Sequence, residues 1–325
     1  MGRIGTLHAE TLTGLDAVDQ LIITDPDSNR ARQIADRFGA RVADDPLAAG
    51  IDALVIASPT GTHPELIRGG VEAGIPVFCE KPVAPDPAGT RAVIEATTGS
   101  GVPVQIGFQR RFDAGYRAAR DAVMTGRLGW LHTVRSTTLD PAPPPAGYIE
   151  GSGGIFRDCA VHDFDSIRWA TGREVISVYA TGSNQGEDFF AKAGDVDTAS
   201  AMLTLDGGTI ALVSCTRYNG AGYDARLELL GSEGARRAES PPAGVRGLRK
   251  PPFAGGVWGG SLPPNFTARF RDAYIAELAA FVQVANGETT SPCTPDDALE
   301  AFYIAEACTL SMRRNEPVTI EEVRL

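Results

Sequence analysis

Between residues 19 and 108, short apolar runs alternate with helix-like stretches, and this alternation restricts the chain more than any other feature. The runs are Leu21-Ile22-Ile23, Ala53-Leu54-Val55-Ile56, Pro76-Val77-Phe78-Cys79 and Val104-Gln105-Ile106. Between them lie Arg30 to Phe38, His63 to Glu72 and Thr90 to Thr97, each closed nearby by Gly39, Gly74 or Gly99. Strands that are apolar throughout must be covered on both faces, and intervening helices supply the crossovers of a parallel sheet. Residues 1–108 are therefore expected to form a doubly wound α/β domain.

After Phe108 the pattern changes. A helix is expected from Asp113 to Met124, a strand near Leu131 to Thr138, and a Pro-rich turn at Asp140-Pro141-Ala142-Pro143-Pro144-Pro145. A second helix is expected from about Phe156 to Trp169. Ala199, Ala201, Leu203 and Leu205 then alternate with Ser200, Met202, Thr204 and Asp206 up to Gly207-Gly208, and a second alternating run follows from Ile210 to Thr216. Period-two alternation about a Gly-Gly turn predicts an antiparallel hairpin with one wet face. Ala225 to Leu230 is expected to continue that sheet, 240–265 to form a long loop, and Thr267 to Ala285 and Pro295 to Arg313 to form closing helices. Residues 109–325 thus read as a second, α+β domain with a large, mainly antiparallel sheet.

The chain has 325 residues, 43% of them hydrophobic, which suffices for two domains with cores. A formal net charge of -11 opposes non-specific association with nucleic acid or an anionic membrane. The five cysteines, 79, 159, 215, 293 and 308, show no zinc or redox spacing, so a reducing compartment without disulfides is expected. No signal-like leader and no spanning apolar run is seen, and a cytoplasmic protein is expected.

Three constellations carry chemistry. Gly2-Arg3-Ile4-Gly5 opens a helix, and Asp25 lies about 20 residues later at a strand end. The helix amides can approach a pyrophosphate and the carboxylate can bind ribose hydroxyls, which favours NAD over NADP. The first strand and first glycine of such a fingerprint are expected upstream of Met1. Cys79-Glu80-Lys81-Pro82 follows a buried strand, where open α/β sheets place ligands; Lys81 could there stabilise an alkoxide as hydride leaves. Asp158 and His162 stand four apart, on one face of an expected helix. A neutral imidazole there can accept a hydroxyl proton while the carboxylate binds a neighbouring hydroxyl or orients the ring; a purely structural pair is the alternative. No third ligand accompanies them, and no metal is expected.

At these residues the chain resembles the Gfo/Idh/MocA oxidoreductase family, and most of all its inositol 2-dehydrogenase members. The matching segments are Gly2-Arg3-Ile4-Gly5, Ser58-Pro59-Thr60-Gly61-Thr62-His63, Glu80-Lys81-Pro82, Gly107-Phe108-Gln109-Arg110-Arg111-Phe112-Asp113, the Pro-rich turn after Asp140, Gly153-Gly154-Ile155-Phe156 with Asp158, His162 and Asp163, and Gly222-Tyr223-Asp224. The resemblance implies a Rossmann domain followed by a domain whose open sheet often assembles dimers or tetramers. It implies that Lys81, Asp158 and His162 form the catalytic group, with His162 as base and Lys81 polarising the same oxygen. Ser58, Pro59, Thr60 and His63 would line the dinucleotide, Glu80 would approach the nicotinamide ribose, and Gln109 would stand beside the nicotinamide, where relatives often carry Met. Asp140 and Tyr223 would contact substrate, and the Lys81–Pro82 bond could be cis.

The expected activity is transfer of hydride from a secondary alcohol of a cyclitol or sugar to NAD. Several substrate hydroxyls would need several polar partners, met by Asp140, Asp158, Tyr223 and Arg111. The same fold also hosts NAD-assisted glycoside hydrolases and non-catalytic NAD-binding regulators; retention of Lys81, Asp158 and His162 favours the dehydrogenase.

Overall fold

The computed structural model describes residues 1–239 and 262–324. They fall into two compact units, Met1–Phe112 with Asp272–Glu300, and Asp113–Arg271 with Ala301–Leu325. Residues 272–300 thus group with the first unit although they come late in the sequence.

In the first unit the strands are β1 (Ile22–Ile23), β2 (Arg41–Val42), β3 (Leu54–Ile56), β4 (Val77–Glu80) and β5 (Val104–Gly107). The helices are α1 (Arg3–Thr13), α2 (Ser28–Phe38), α3 (His63–Glu72) and α4 (Pro87–Thr97). All strand pairings here are parallel, β1 with β2 and β3-β4-β5 in order. The described strands thus form two parallel sheets. Among the described residues no strand pairs between β1 and β3. Local chemistry sets the helix ends: Asp27 caps α2 by accepting from the amides of Asn29 and Arg30, and Gly39 ends it at φ 64°. Asp86 caps α4, whose first residue is Pro87.

The core of this unit explains the return of the chain. Phe78 on β4 is fully enclosed, and its ring centroid lies 5.6 Å from that of Phe281. Leu278, Phe281 and Val284 complete the cluster with Leu12. The Ile106 amide also donates to the Cys293 carbonyl at 2.9 Å.

The second unit holds helices α5 (Ala114–Met124), α6 (Ala146–Gly151), α7 (Val161–Thr171), α8 (Phe189–Lys192) and α9 (Phe266–Arg269). Helix α10 (Arg271–Ala285) lies almost wholly in the first unit, and α11 (Pro295–Arg314) runs from the first unit into the second. The strands are β6 (Leu131–Leu139), β7 (Val175–Ser183), β8 (Thr198–Leu205), β9 (Ile210–Thr216), β10 (Asp224–Gly231), β11 (Ala235–Ala238) and β12 (Val318–Thr319). They form one sheet in the order β11-β10-β6-β9-β8-β7-β12.

The hairpin β8–β9 turns at Gly207 and Gly208, whose φ values of 70° and 84° suit glycine. The strand expected to follow it, β10, continues the sheet through β6, which pairs parallel to β9 and antiparallel to β10. Strand β7 escapes a period-two reading because its register shifts between Val175 and Ser177. The helix expected from Thr267 breaks at Phe270 into α9 and α10. Most of the expected 240–265 loop lies outside the described residues.

Candidate active site

Three parallel strands bring the first unit's candidates to one edge. Register pairs Ile56 with Cys79 and Glu80 with Gly107, so the segments starting at Ala57, Lys81 and Phe108 leave the carboxyl ends of β3, β4 and β5 side by side. That edge is where α/β sheets bind ligands. Helix α1 starts at Arg3 with Gly2 as its cap residue, no side-chain cap and no acidic residue in its first turn. Its leading amides, Gly5 among them, suit an anionic pyrophosphate, so the chain's residues fit a dinucleotide. The Asp25 carboxylate faces the Met1 ammonium and Arg30 at the end of β1.

Several side chains hold this edge in shape. His8 Nε2 stands 2.7 Å from Glu80 Oε1, and the His8 ring packs edge-on against Phe78 and Tyr274. His63 is buried, with its ring nitrogens 2.8 Å from the Pro82 carbonyl and 2.9 Å from the Ser58 carbonyl. It is thus a brace under the loops carrying Ser58 and Lys81 rather than an exposed lining group. Ser58 Oγ and Thr62 Oγ1 share a 2.6 Å hydrogen bond, with Pro59 and Thr60 between them. Lys81 is half-buried, and the Lys81–Pro82 bond is cis. Gln109 is buried. Arg111 departs from the expected substrate role: it is buried, donates to the Pro292 carbonyl at 2.8 Å and pairs with Asp297 at 3.2 Å. Its guanidinium anchors the 292–297 segment.

In the second unit, parallel pairing of β6 and β9 sets Leu139 opposite Thr216, so the next residues, Asp140 and Arg217, emerge together. Arg217 Nη1 donates to Asp140 Oδ2 at 2.8 Å and Nη2 to Asp158 Oδ2 at 2.7 Å. Tyr148 on α6 donates to the other oxygen of Asp158 at 2.8 Å. One guanidinium therefore spans two carboxylates, and a phenol holds the second from the far side.

Asp158 belongs to a π-helical turn, Phe156–Ala160, that runs into α7. His162 follows four residues later in the first turn of α7; π turns recur at functional sites. Asp158 is held by Arg217 and Tyr148, and half-buried His162 sits in the first turn of α7. The neighbouring Asp163, fully buried, accepts from Ser136 and Thr138 of β6. Asp195 is also buried: Oδ1 accepts from the Ile155 amide at 2.9 Å and Oδ2 has no hydrogen-bond partner. Burial raises its carboxyl above the ordinary range, against the lowering effect of the Ile155 and Val196 amides. Tyr223 is buried edge-on between Phe266 and Phe270, each ring centroid 6.3 Å away.

The sequence reading missed Arg217, Tyr148, Asp195 and His8. One signal for Arg217 was available: Ala211, Val213 and Cys215 are the buried alternate positions of β9, and the next in that series is an arginine. A charge continuing an apolar alternation must find buried partners.

An uncapped helix start at the edge of a parallel sheet, with a carboxylate at the neighbouring strand end, defines a dinucleotide-binding fold. Residues 1–108 match the family model described as "Oxidoreductase family, NAD-binding Rossmann fold", and residues 116–237 match the GFO/IDH/MocA C-terminal domain. The chain belongs to the Gfo/Idh/MocA oxidoreductase family. It is 35% identical to a myo-inositol 2-dehydrogenase from Thermotoga maritima, with 99% of this chain and 97% of that one covered. Among solved structures, a myo-inositol dehydrogenase from Corynebacterium glutamicum matches with a TM-score of 0.90 at 34% identity, covering 98% of this chain and 96% of that one. A scyllo-inositol dehydrogenase from Lactobacillus casei, solved with NAD(H) and scyllo-inositol, matches with a TM-score of 0.89 at 28% identity, covering 99% and 97%.

Proposed function

We propose that this oxidoreductase converts one secondary alcohol of a cyclitol, myo-inositol-like, to the ketone. The observation that carries this reading is the Asp140–Arg217–Asp158 arrangement. Two ionised carboxylates set side by side offer acceptors to two neighbouring hydroxyls, which suits a polyol. The named activities of the relatives support the same substrate class. Bound NAD supplies the hydride acceptor. His162 accepts the hydroxyl proton, and the Lys81 ammonium stabilises the developing alkoxide. Asp140 and Asp158 orient the ring, and Tyr223 closes on it from its aromatic bed. Gly2, Arg3, Ile4 and Gly5 cradle the pyrophosphate and Asp25 binds the adenosine ribose. Ser58, Pro59, Thr60, Glu80 and Gln109 line the remainder of the dinucleotide, with His63 bracing them.

Among the described residues no helix is long and apolar enough to cross a membrane, and the five cysteines are buried thiols. A cytoplasmic location is part of the proposed reading. Met202 and Leu212 pair across β8 and β9 with 47% and 42% of their surface exposed, and Ile210 adds a third apolar position on that strand. This outer sheet face is the proposed surface for a homodimer or homotetramer.

Absorbance at 340 nm tests the activity, with protein, NAD and a panel of inositols and aldoses. A rise with an inositol is expected. A flat trace across the panel, with NAD bound, would instead favour the hydrolase or regulator reading.

A further inference from the structure

We propose that Arg217 is a positioning residue that locks Asp140 and Asp158 into a fixed, ionised pair of hydroxyl acceptors, and so restricts the site to neutral polyols. The inference rests on the polyol-oxidising reading above. Both terminal nitrogens of Arg217 are spent, one on each carboxylate, at 2.8 and 2.7 Å. The side chain is 5% exposed, and Nε is buried with no hydrogen-bond partner. A buried guanidinium committed in this way cannot turn to pair with a carboxylate or phosphate on a substrate. Its charge also offsets the repulsion between two adjacent carboxylates, which by itself favours protonation of one. A protonated carboxyl accepts poorly and loses its hold on a substrate hydroxyl.

Other titratable groups adjoin the pair. Tyr148 from α6 is a neutral donor to Asp158. Cys159 adjoins Asp158 and interacts with Arg217, and Asp195 interacts electrostatically with both Arg217 and Asp158. His162 lies one helical step further along. Arg217 bridges both carboxylates through its two terminal nitrogens. Its backbone is itself fixed, since the Arg217 amide donates to the Asp197 carbonyl at 2.8 Å.

The experiment compares wild type, Arg217→Met and Arg217→Lys, labelled with carboxyl-13C aspartate and titrated by NMR. The Asp140 and Asp158 resonances are assigned by their loss in Asp140→Asn and Asp158→Asn. In Arg217→Met at least one of the two titration midpoints should rise by about 1 to 3 pH units. The acid limb of kcat/KM for the inositol should move up with it, while NAD affinity stays unchanged. Arg217→Lys should return the midpoints toward wild type yet keep a lowered kcat/KM, since an ammonium lacks the two-pronged geometry. Unchanged midpoints in folded Arg217→Met would overturn the proposal. If Arg217→Met does not fold, Arg217→Lys decides: wild-type KM and kcat there would overturn it equally. A wild type that reduces no NAD with any polyol would remove the functional reading, while the titrations would still decide whether Arg217 locks the pair.

Discussion

Thr138 Oγ1 stands 2.7 Å from Asp163 Oδ2, and this bond ties the first turn of α7 to strand β6. Ser136 donates to the other carboxylate oxygen, so Asp163 meets the strand with both of its oxygens. Because His162 is the preceding residue, its backbone position depends on the same tie. Asp163→Ala would remove the carboxylate acceptor of two buried hydroxyls, leaving Ser136 only its 3.5 Å bond to the Arg226 carbonyl, and should cost about 2–4 kcal/mol of stability. Urea unfolding measures the cost, and turnover should fall with it. An unchanged unfolding midpoint would show that the tie contributes nothing.

Much of the first unit was legible because its signals are local. Val77, Phe78 and Cys79 form an apolar run, and Asp27, Gly39 and Asp86 mark helix ends by their own chemistry. The site was legible only in part. Lys81, Asp140, Asp158 and His162 stand out as motif residues, but what aims Asp158 depends on long-range pairing. Arg217 is 77 residues from Asp140 and 59 from Asp158, and the parallel register of β6 and β9 brings it beside Asp140. The π-helical turn was invisible for a related reason: Phe156-Arg157-Asp158-Cys159-Ala160 has no residue that a regular α-helix would reject. Arg111 was misread because a basic residue in a site motif looks available, whereas Asp297, from a distant segment, already claims it.

Cofactor choice should turn on Asp25. Its carboxylate lies within 3.8 Å of the half-exposed Arg30 guanidinium. Asp25→Ser would remove the charge that repels a 2′-phosphate and free Arg30 to meet one. The ratio of kcat/KM for NADP to that for NAD should rise by about tenfold or more, roughly 1.4 kcal/mol. Steady-state assays with both cofactors check this, and an unchanged ratio would remove Asp25 from the ribose site.

Asp195 should make stability fall as pH rises. Burial, partly offset by the Ile155 and Val196 amides, raises its carboxyl in the folded chain above the unfolded value. Between those two values the folded state holds the proton that the unfolded state has lost, so stability declines through that window and is then constant. Asp195→Asn keeps an acceptor for the Ile155 amide and removes the titration. The variant should therefore gain stability relative to wild type on going from pH 4 to pH 7. Parallel denaturation curves at the two pH values decide it, and a gain independent of pH would mean that Asp195 does not titrate with folding.

The roles of His162 and Lys81 separate from cofactor binding. Both are assigned to the reacting oxygen, whereas the dinucleotide is assigned to the α1 start, Asp25 and the loop from Ser58. Removal of a general base typically costs 10²–10⁴-fold in rate. His162→Ala and Lys81→Ala should each lower kcat by about that factor, with NAD affinity, followed by fluorescence titration, nearly unchanged. Loss of a transition-state interaction lowers kcat and kcat/KM together, so KM for the polyol should move far less than kcat. Equal losses of NAD affinity and turnover would instead place these side chains in cofactor binding and leave the proton acceptor unassigned.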